Sequence, residues 1–389
     1  MIGWSFRFTC RGFSYTCQRS SFLRRSWLIA QKVSYHSRLS IMSDQPKSIC
    51  LVGSGNWGSA IAKVAGENVA QKPEKFKPPV TMYVYEEVVD DRKLSEIINT
   101  DHENPKYMPG IKLPDNVVAI PDLVEAAKEA DILIFVLPHN FIRGICQSLK
   151  GKIKNDAIGI SLIKGLDSAI EGISLISKVI EDELSIPCHV LMGANLAGEV
   201  AQEMFVEATI GCKVPEHGPI LKDVFHCRYF KINTVTDSAT VELCGALKNA
   251  VAIGAGMVDA LDCGANTKAA VIRLGMVEIL SFVEKFYGDV KKETFFESCG
   301  VADLIATCYG GRNRKCAELF VRTGKSFEVI EKEILNGQKL QGPHTLHELY
   351  RIIKDNGWTE SFPLFTAISK VVYEGYPPPS LIEMLKDHF

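Results

Sequence analysis

The sequence has no Cys-x-x-Cys pair. Its twelve cysteines are scattered singly through 389 residues, which argues against a disulfide scaffold and against a structural zinc site. Reduced, mostly buried thiols are expected instead. There is no surplus of charge: 44 lysines and arginines face 46 acids, a formal net charge of −2. No long-range field then draws the chain to nucleic acid or to an acidic membrane surface, and any basic site must be local. No apolar run approaches the ~20 residues that span a bilayer; the run 132–137 has the length of a buried strand. Internal repeats and low-complexity tracts are missing too. His344 and His347 stand three apart, yet no thiol or carboxylate beside them completes a ligand set, so no metal site is expected.

Residues 1–42 differ from everything after them. They hold Arg7, Arg11, Arg19, Arg24, Arg25, Lys32 and Arg38, many serines and no acid. That is the composition of an organelle transit peptide, although Met42 can equally serve as the start of a cytosolic form. Either way this basic extension stands outside the fold.

From Ser48 onward short apolar runs alternate with helical patterns. Strands are expected at 49–52, 80–85, 117–120, 131–137, 157–163 and 189–192, with a proline loop at 73–79. Helices are expected between them, at 59–69, 122–129 and 174–183. This alternation predicts an α/β fold, a doubly wound, mostly parallel Rossmann-type sheet covered on both faces. Past Thr234 long helical patterns take over, at 239–260, 267–286, 314–323, 327–336 and 345–355. The first two are apolar all round, as in buried central helices. The expected organisation is a cofactor-binding domain over 47–233 and an all-helical domain over 234–389.

Gly53-Ser54-Gly55-Asn56-Trp57-Gly58 matches G-x-G-x-x-G, and it follows a strand and opens a helix. In that setting the first glycine permits the turn, the second lets a pyrophosphate approach backbone, and the third lets helix and strand pack closely. The helix N-terminus supplies N–H groups and a positive dipole end. Glu86 and Glu87 follow the second strand, where an acid can bind ribose hydroxyls and repel a 2′-phosphate. NAD is favoured over NADP, although both glutamates can also be merely solvated.

Two lysines are candidates for the chemistry. Lys164 ends the apolar strand 158–163, where ligands sit in open sheets, but a strand-end lysine is often simply exposed. Lys248 stands in VELCGALKNAVA, 241–252, and its helical neighbours offer no carboxylate. It is either a desolvated lysine of lowered pKa, suited to acid–base work, or one that snorkels to the surface. Gly310-Gly311-Arg312-Asn313-Arg314 pairs backbone amides with a guanidinium fork suited to phosphate. Asp303, the one acid in an apolar run, can orient Lys248, cap a helix or make a structural ion pair. Asn266-Thr267-Lys268 reads as a helix N-cap, and 337–342 as a polar flap between glycines.

The segments GSGNWGSAIA (53–62), HENPKYMPG (102–110), SLIKGLD (161–167), MGANLAGEV (192–200), CGALKNAVAIGAG (244–256), NTKAAVIRLG (266–275), ESCGVADLIATCYGGRNRK (297–315) and NGQKLQGP (336–343) together resemble the eukaryotic-type NAD-dependent glycerol-3-phosphate dehydrogenase family. The resemblance runs from residue 47 nearly to the C-terminus. It implies reversible hydride transfer between NADH and dihydroxyacetone phosphate, giving sn-glycerol 3-phosphate, in a cytoplasmic homodimer. It implies Lys248 as proton donor and acceptor, Lys164 on the substrate, Arg312 and Asn313 on the phosphate, and Asn249, Asp303 and Thr307 completing the pocket. On the NAD side it implies Gly53, Ser54, Gly55, Asn56, Trp57, Gly58, Tyr85, Phe141, Ala197, Arg312, Lys339 and Gln341. Tyr85 departs mildly from the phenylalanine often found there, and stacking survives that change. A β-hydroxy-acid dehydrogenase with the same two-part build, and a non-catalytic NAD(H) sensor, are the readings kept beside it.

Overall fold

Strand β1, Lys47–Val52, sends Ile49 and Leu51 into one apolar cluster and Cys50 and Val52 into another. That period-two split marks a strand buried on both faces. The computed structural model describes residues 45–388 apart from 170–171, 289–290 and 336–338. The expectation about residues 1–42 therefore lies outside the described residues, as do Gly337 and Gln338 of the expected flap.

Eight strands form the main sheet: β1, β2 (Phe76–Tyr83), β3 (Val117–Ile120), β4 (Ile132–Phe135), β5 (Ile158–Ser161), β6 (Cys188–Met192), β7 (Val206–Gly211) and β8 (Phe230–Val235). Their spatial order is β8-β7-β6-β5-β4-β1-β2-β3. All neighbours run parallel except β6 and β7. The chain winds outward from β1 through β2 and β3, then returns to β4 on its other side. The carboxyl ends of β1 and β4 thus form the topological switch point where open α/β sheets bind ligands.

Two features differ from the sequence expectations. Strands β7 and β8 were not anticipated; polar residues interrupt both, and β8 is an edge strand with a half-solvated pattern. Pro78 and Pro79 lie within β2 instead of in a loop before it. The register runs Lys47↔Phe76 and then Ile49↔Val80, so Lys77, Pro78 and Pro79 bulge opposite Ser48, while pairing with β3 begins only at Val80. A bulge needs no ladder N–H from proline.

Helix α1, Asn56–Gln71, follows the glycine turn. After β8 the chain is helical, and the helices that matter for the site are α2 (Ser238–Ala260), α3 (Ala265–Tyr287), α4 (Asp303–Gly310), α5 (Arg312–Thr323), α6 (Gln341–Asp355) and α7 (Pro363–Tyr373). Asp237 caps α2 by accepting from the Thr240 N–H at 3.1 Å. By length and composition α2 could cross a bilayer, but its apolar window is wholly buried within the protein. It is the central post of the helical core. Helix α3 starts at Ala265 after Gly264, so Asn266 and Thr267 occupy its first turn and are not its cap; the Thr267 hydroxyl donates to the Cys263 carbonyl at 3.0 Å. A five-residue π-turn, Ser298–Ala302, leads into α4, a device that often re-aims side chains at functional sites. The described cysteines are all free thiols.

Candidate active site

The glycine turn stands at the switch point. Gly53 has φ +127°, and a Cβ there would stand 2.3 Å from the Val136 carbonyl oxygen beyond β4; a Cβ on Gly58 would stand 2.4 Å from the Gly53 carbonyl. Both positions therefore require glycine. Gly55 is different: nothing lies within 4 Å of where its Cβ would stand. Open space in front of Gly55, beside a helix N-terminus with no side-chain cap, fits a pyrophosphate. Ser54 is buried, and Asn56 is exposed on the first turn of α1. Trp57 contributes only backbone here, because its ring packs edge-on against Phe230 at 6.4 Å.

Aromatic and small residues surround this turn from other strand ends. Tyr85 follows β2 and is 72% exposed; Phe141 follows β4 and is 57% exposed. Ala197 opens the short helix after β6. These surfaces suit a planar, partly apolar cofactor. Glu86 accepts from the Ser95 N–H at 3.2 Å and its hydroxyl at 2.6 Å, and Glu87 accepts from the Tyr107 hydroxyl at 3.1 Å and from Lys106. Both acids already have protein partners: Lys106 offsets the charge of Glu87, while Glu86, held by neutral donors, keeps negative charge beside Tyr85, which opposes a 2′-phosphate.

The two lysines converge on one carboxylate. Lys248 is 4% exposed on α2, and its Nζ donates to Oδ1 of Asp303, the first residue of α4. Lys164, beyond β5, reaches Asp303 Oδ2 at 3.4 Å, the Asn195 side-chain oxygen at 3.1 Å and the Gly193 carbonyl at 3.3 Å. Lys248 is thus neither at the surface nor snorkelling, and Asp303 is its partner, not a distant cap. A small cavity lined by Cys244, Met276, Ile279, Phe295, Gly300 and Leu304 lies against it. Burial pulls the Lys248 pKa down to about 7; the Asp303 charge opposes that shift and Lys164 reinforces it. An amine held there can give or take a proton near neutral pH.

The π-turn sets the position of Asp303. The Ser298 hydroxyl donates to the Glu207 carbonyl at 2.8 Å and accepts from the Ala194 N–H at 3.2 Å; the Cys299 N–H donates to the Thr209 hydroxyl at 3.3 Å. These bonds tie the turn to β7 and to the loop after β6. Thr307, one turn beyond Asp303, donates to its Oδ1 at 3.5 Å.

The glycine pair 310–311 works differently from expectation. The Gly311 N–H is not exposed; it closes α4 by donating to the Thr307 carbonyl at 3.1 Å. Gly311 is then the N-cap of α5 and bears no side chain. The feature suited to an anion is consequently the N-terminus of α5, with Arg312 exposed in its first position. Asn313 is buried: it donates to Asn249 Oδ1 at 3.0 Å and accepts from the Gly342 N–H at 2.9 Å. The same pairing joins α2, α5 and α6. Asp259 at the end of α2 holds Arg314 at 2.5 Å and Lys268 at 2.7 Å.

Lys339 stands apart from the lysine cluster, exposed and paired with Glu331 at 2.7 Å. Gln341 opens α6 and its Oε1 lies 2.7 Å from Nδ1 of His139, in the loop after β4. His344 packs against the His139 ring and His347 against Tyr373, so the two histidines serve different contacts; among the described residues no group of three potential ligands could hold a metal ion. The sequence reading missed Asn195. It is 5% exposed, and its Nδ2 finds no acceptor among the described residues. Its signal was its place after β6, inside MGANLAGEV.

The chain matches the family model for the NAD-dependent glycerol-3-phosphate dehydrogenase N-terminus over residues 48–217 and the model for the C-terminus over 237–383. It is 60% identical to the human glycerol-3-phosphate dehydrogenase [NAD(+)], cytoplasmic, over 343 residues, covering 88% of this chain and 98% of that one. The Drosophila melanogaster protein of the same name is 59% identical over 342 residues, with 88% and 94% covered. The solved structure of glycerol-3-phosphate dehydrogenase from Saccharomyces cerevisiae superposes with a TM-score of 0.82 at 45% identity, covering 88% of this chain and all of that one.

Proposed function

The chain belongs to the NAD-dependent glycerol-3-phosphate dehydrogenases, and we propose that Lys248 is the residue that exchanges the proton in its reaction. The protein is an oxidoreductase that uses NAD to interconvert sn-glycerol 3-phosphate and dihydroxyacetone phosphate. Residues 47–233 hold the cofactor, and residues 234–389 supply the proton donor and the phosphate site.

The observation that carries this reading is the buried Lys248–Asp303 pair, with Lys164 on the second carboxylate oxygen. Bound NADH supplies the hydride for ketone reduction, and NAD takes it up in the reverse direction. The turn Gly53, Ser54, Gly55, Asn56, Trp57 and Gly58 would hold its pyrophosphate through backbone. Tyr85, Phe141 and Ala197 would hold its rings, with Arg312, Lys339 and Gln341 as further cofactor residues.

In ketone reduction the Lys248 ammonium donates its proton to the C2 oxygen of dihydroxyacetone phosphate. Lys164 holds positive charge where that oxygen turns negative. Asp303 keeps both amines aimed at one point and Thr307 steadies the carboxylate. In the oxidation, neutral Lys248 accepts the hydroxyl proton. Arg312, Asn313 and the α5 N-terminus bind the phosphate, with Asn249 holding Asn313 in place. Binding energy at the phosphate thereby orients the carbonyl some atoms away.

Lys248→Ala tests the assignment. Oxidation of NADH by dihydroxyacetone phosphate should fall by about 10²-fold or more in kcat, with NADH affinity unchanged; a kcat within about tenfold of wild type overturns it. The protein is assigned to the cytoplasm, the compartment in its relatives' names. Imaging forms started at Met1 and at Met42 distinguishes this from mitochondrial import. The homodimer is part of the same reading, and light scattering of the purified protein checks it.

A further inference from the structure

The segment HENPKYMPG takes no part in the chemistry above. It folds as a strand pair, Glu103–Asn104 against Met108–Lys112, and Met108 enters the apolar cluster that α1 shares with β1. Asn104 is fully buried. Its Nδ2 donates to the Ser54 carbonyl at 2.8 Å and to the Ser59 hydroxyl at 2.9 Å, while its Oδ1 accepts from the Tyr107 N–H at 3.3 Å. The Ser59 hydroxyl in turn donates to the Ser54 carbonyl at 3.3 Å.

We propose that Asn104 is a positioning residue that aims the cofactor turn, by holding the Ser54–Gly55 peptide in one orientation. The C=O of Ser54 and the N–H of Gly55 belong to the same planar trans peptide, so they point in opposite directions. Drawing the carbonyl inward onto Asn104 turns the Gly55 N–H outward, into the open space where an anion would lie. Glycines on both sides of Ser54 leave this plane little other restraint. Two donors on one carbonyl, one of them from a segment 50 residues away in sequence, supply it. The inference rests on the reading that the turn 53–58 binds the pyrophosphate.

Asn104→Asp replaces the donor with an acceptor of equal shape and leaves the Tyr107 N–H its partner; because it also brings negative charge toward the pyrophosphate, it is read together with the uncharged Ser59→Ala, and both must raise the NADH Kd. NADH dissociation is read by quenching of protein tryptophan fluorescence, beside steady-state kinetics of the full chain. The expected result is a Kd for NADH raised about tenfold, a KM for dihydroxyacetone phosphate within about twofold of wild type, and a KM for NADH that follows Kd. An NADH Kd within about twofold of wild type overturns the proposal, since a merely structural asparagine would change melting temperature without this split. If Asn104→Asp does not fold, Ser59→Ala decides: it removes the second donor from a helix that tolerates alanine. A Kd raised about threefold supports the proposal and an unchanged Kd overturns it. Gly55→Val, where nothing lies within 4 Å of the added Cβ, abolishes NADH binding if the turn is the cofactor site. An undiminished affinity there would instead overturn the underlying reading.

Discussion

Lys164 Nζ lies 3.4 Å from the Asp303 carboxylate whose other oxygen accepts from Lys248. One buried acid therefore separates two amines that would otherwise repel each other. Lys164 keeps about a quarter of its side chain exposed, whereas Lys248 is almost wholly enclosed. Burial discriminates between them: it is the enclosed amine, Lys248, whose pKa is lowered.

The two directions of the reaction should have opposite pH dependences. Lys248 must carry a proton to reduce the ketone and must lack one to oxidise the alcohol. With its pKa pulled down to about 7, ketone reduction should decline as pH rises through that value, while glycerol 3-phosphate oxidation should climb. Measuring kcat/KM against pH in both directions checks this, and parallel profiles would remove Lys248 from the proton path.

Asp303→Asn should shift that dependence toward acid. The carboxylate's charge raises the Lys248 pKa against burial, so its loss leaves the amine neutral at lower pH. Ketone reduction at pH 7 should fall while its optimum moves down. Removing one member of a buried pair commonly costs about 3–5 kcal/mol, lessened here because Lys248 can shed its proton. Calorimetry should show a lower Tm, and an unmoved pH optimum would contradict the pairing.

Arg312→Ala should act on the phosphate. The expected change is a KM for dihydroxyacetone phosphate raised at least about tenfold, the scale of a charge-assisted bond. With unphosphorylated dihydroxyacetone the gap between wild type and variant should narrow, because the phosphate contact is gone and only the share of Arg312 on the cofactor side is left. A KM that stays at the wild-type value would place Arg312 elsewhere.

His189 should make the fold acid-sensitive. It is buried on β6, with Nε2 2.9 Å from Nδ1 of His217, and burial and then the His217 charge push its pKa down to about 3. The unfolded chain binds this proton near pH 6.5 and the folded one does not, so stability is intact above pH 6.5 and lost progressively toward pH 3. The loss approaches about 4 kcal/mol at the acid end. Urea melts of wild type and His189→Asn across this range should converge at low pH; a constant gap would disprove it.

Much of this molecule is legible in local pattern. The glycine turn declares itself because only glycine meets its contacts at Gly53 and Gly58, and because strand and helix flank it within a few residues. The apolar strands and the long helix α2 are similarly local, since burial on two faces or all round leaves few polar residues to interrupt them. The failures have physical causes. Strand β7 runs antiparallel to β6, the strand before it, and β8 is a polar-interrupted edge strand beside β7, so neither shows the apolar run of a buried parallel strand; Pro78 and Pro79 are tolerated only because β2 bulges there opposite Ser48.

The sequence by itself determined the glycine turn, the class of fold and, through the ordered set of motifs, the family. Only the tertiary structure decided what each polar side chain does. Lys248 and Asp303 are 55 residues apart, Lys164 and Asp303 139 apart, and Asn104 and Ser54 50 apart. A helical neighbour can be counted from spacing, but a partner across the fold is chosen by the packing of whole elements. Here the π-turn tied to β7 carries Asp303 to Lys248, and desolvation at that meeting point lowers the pKa of the lysine.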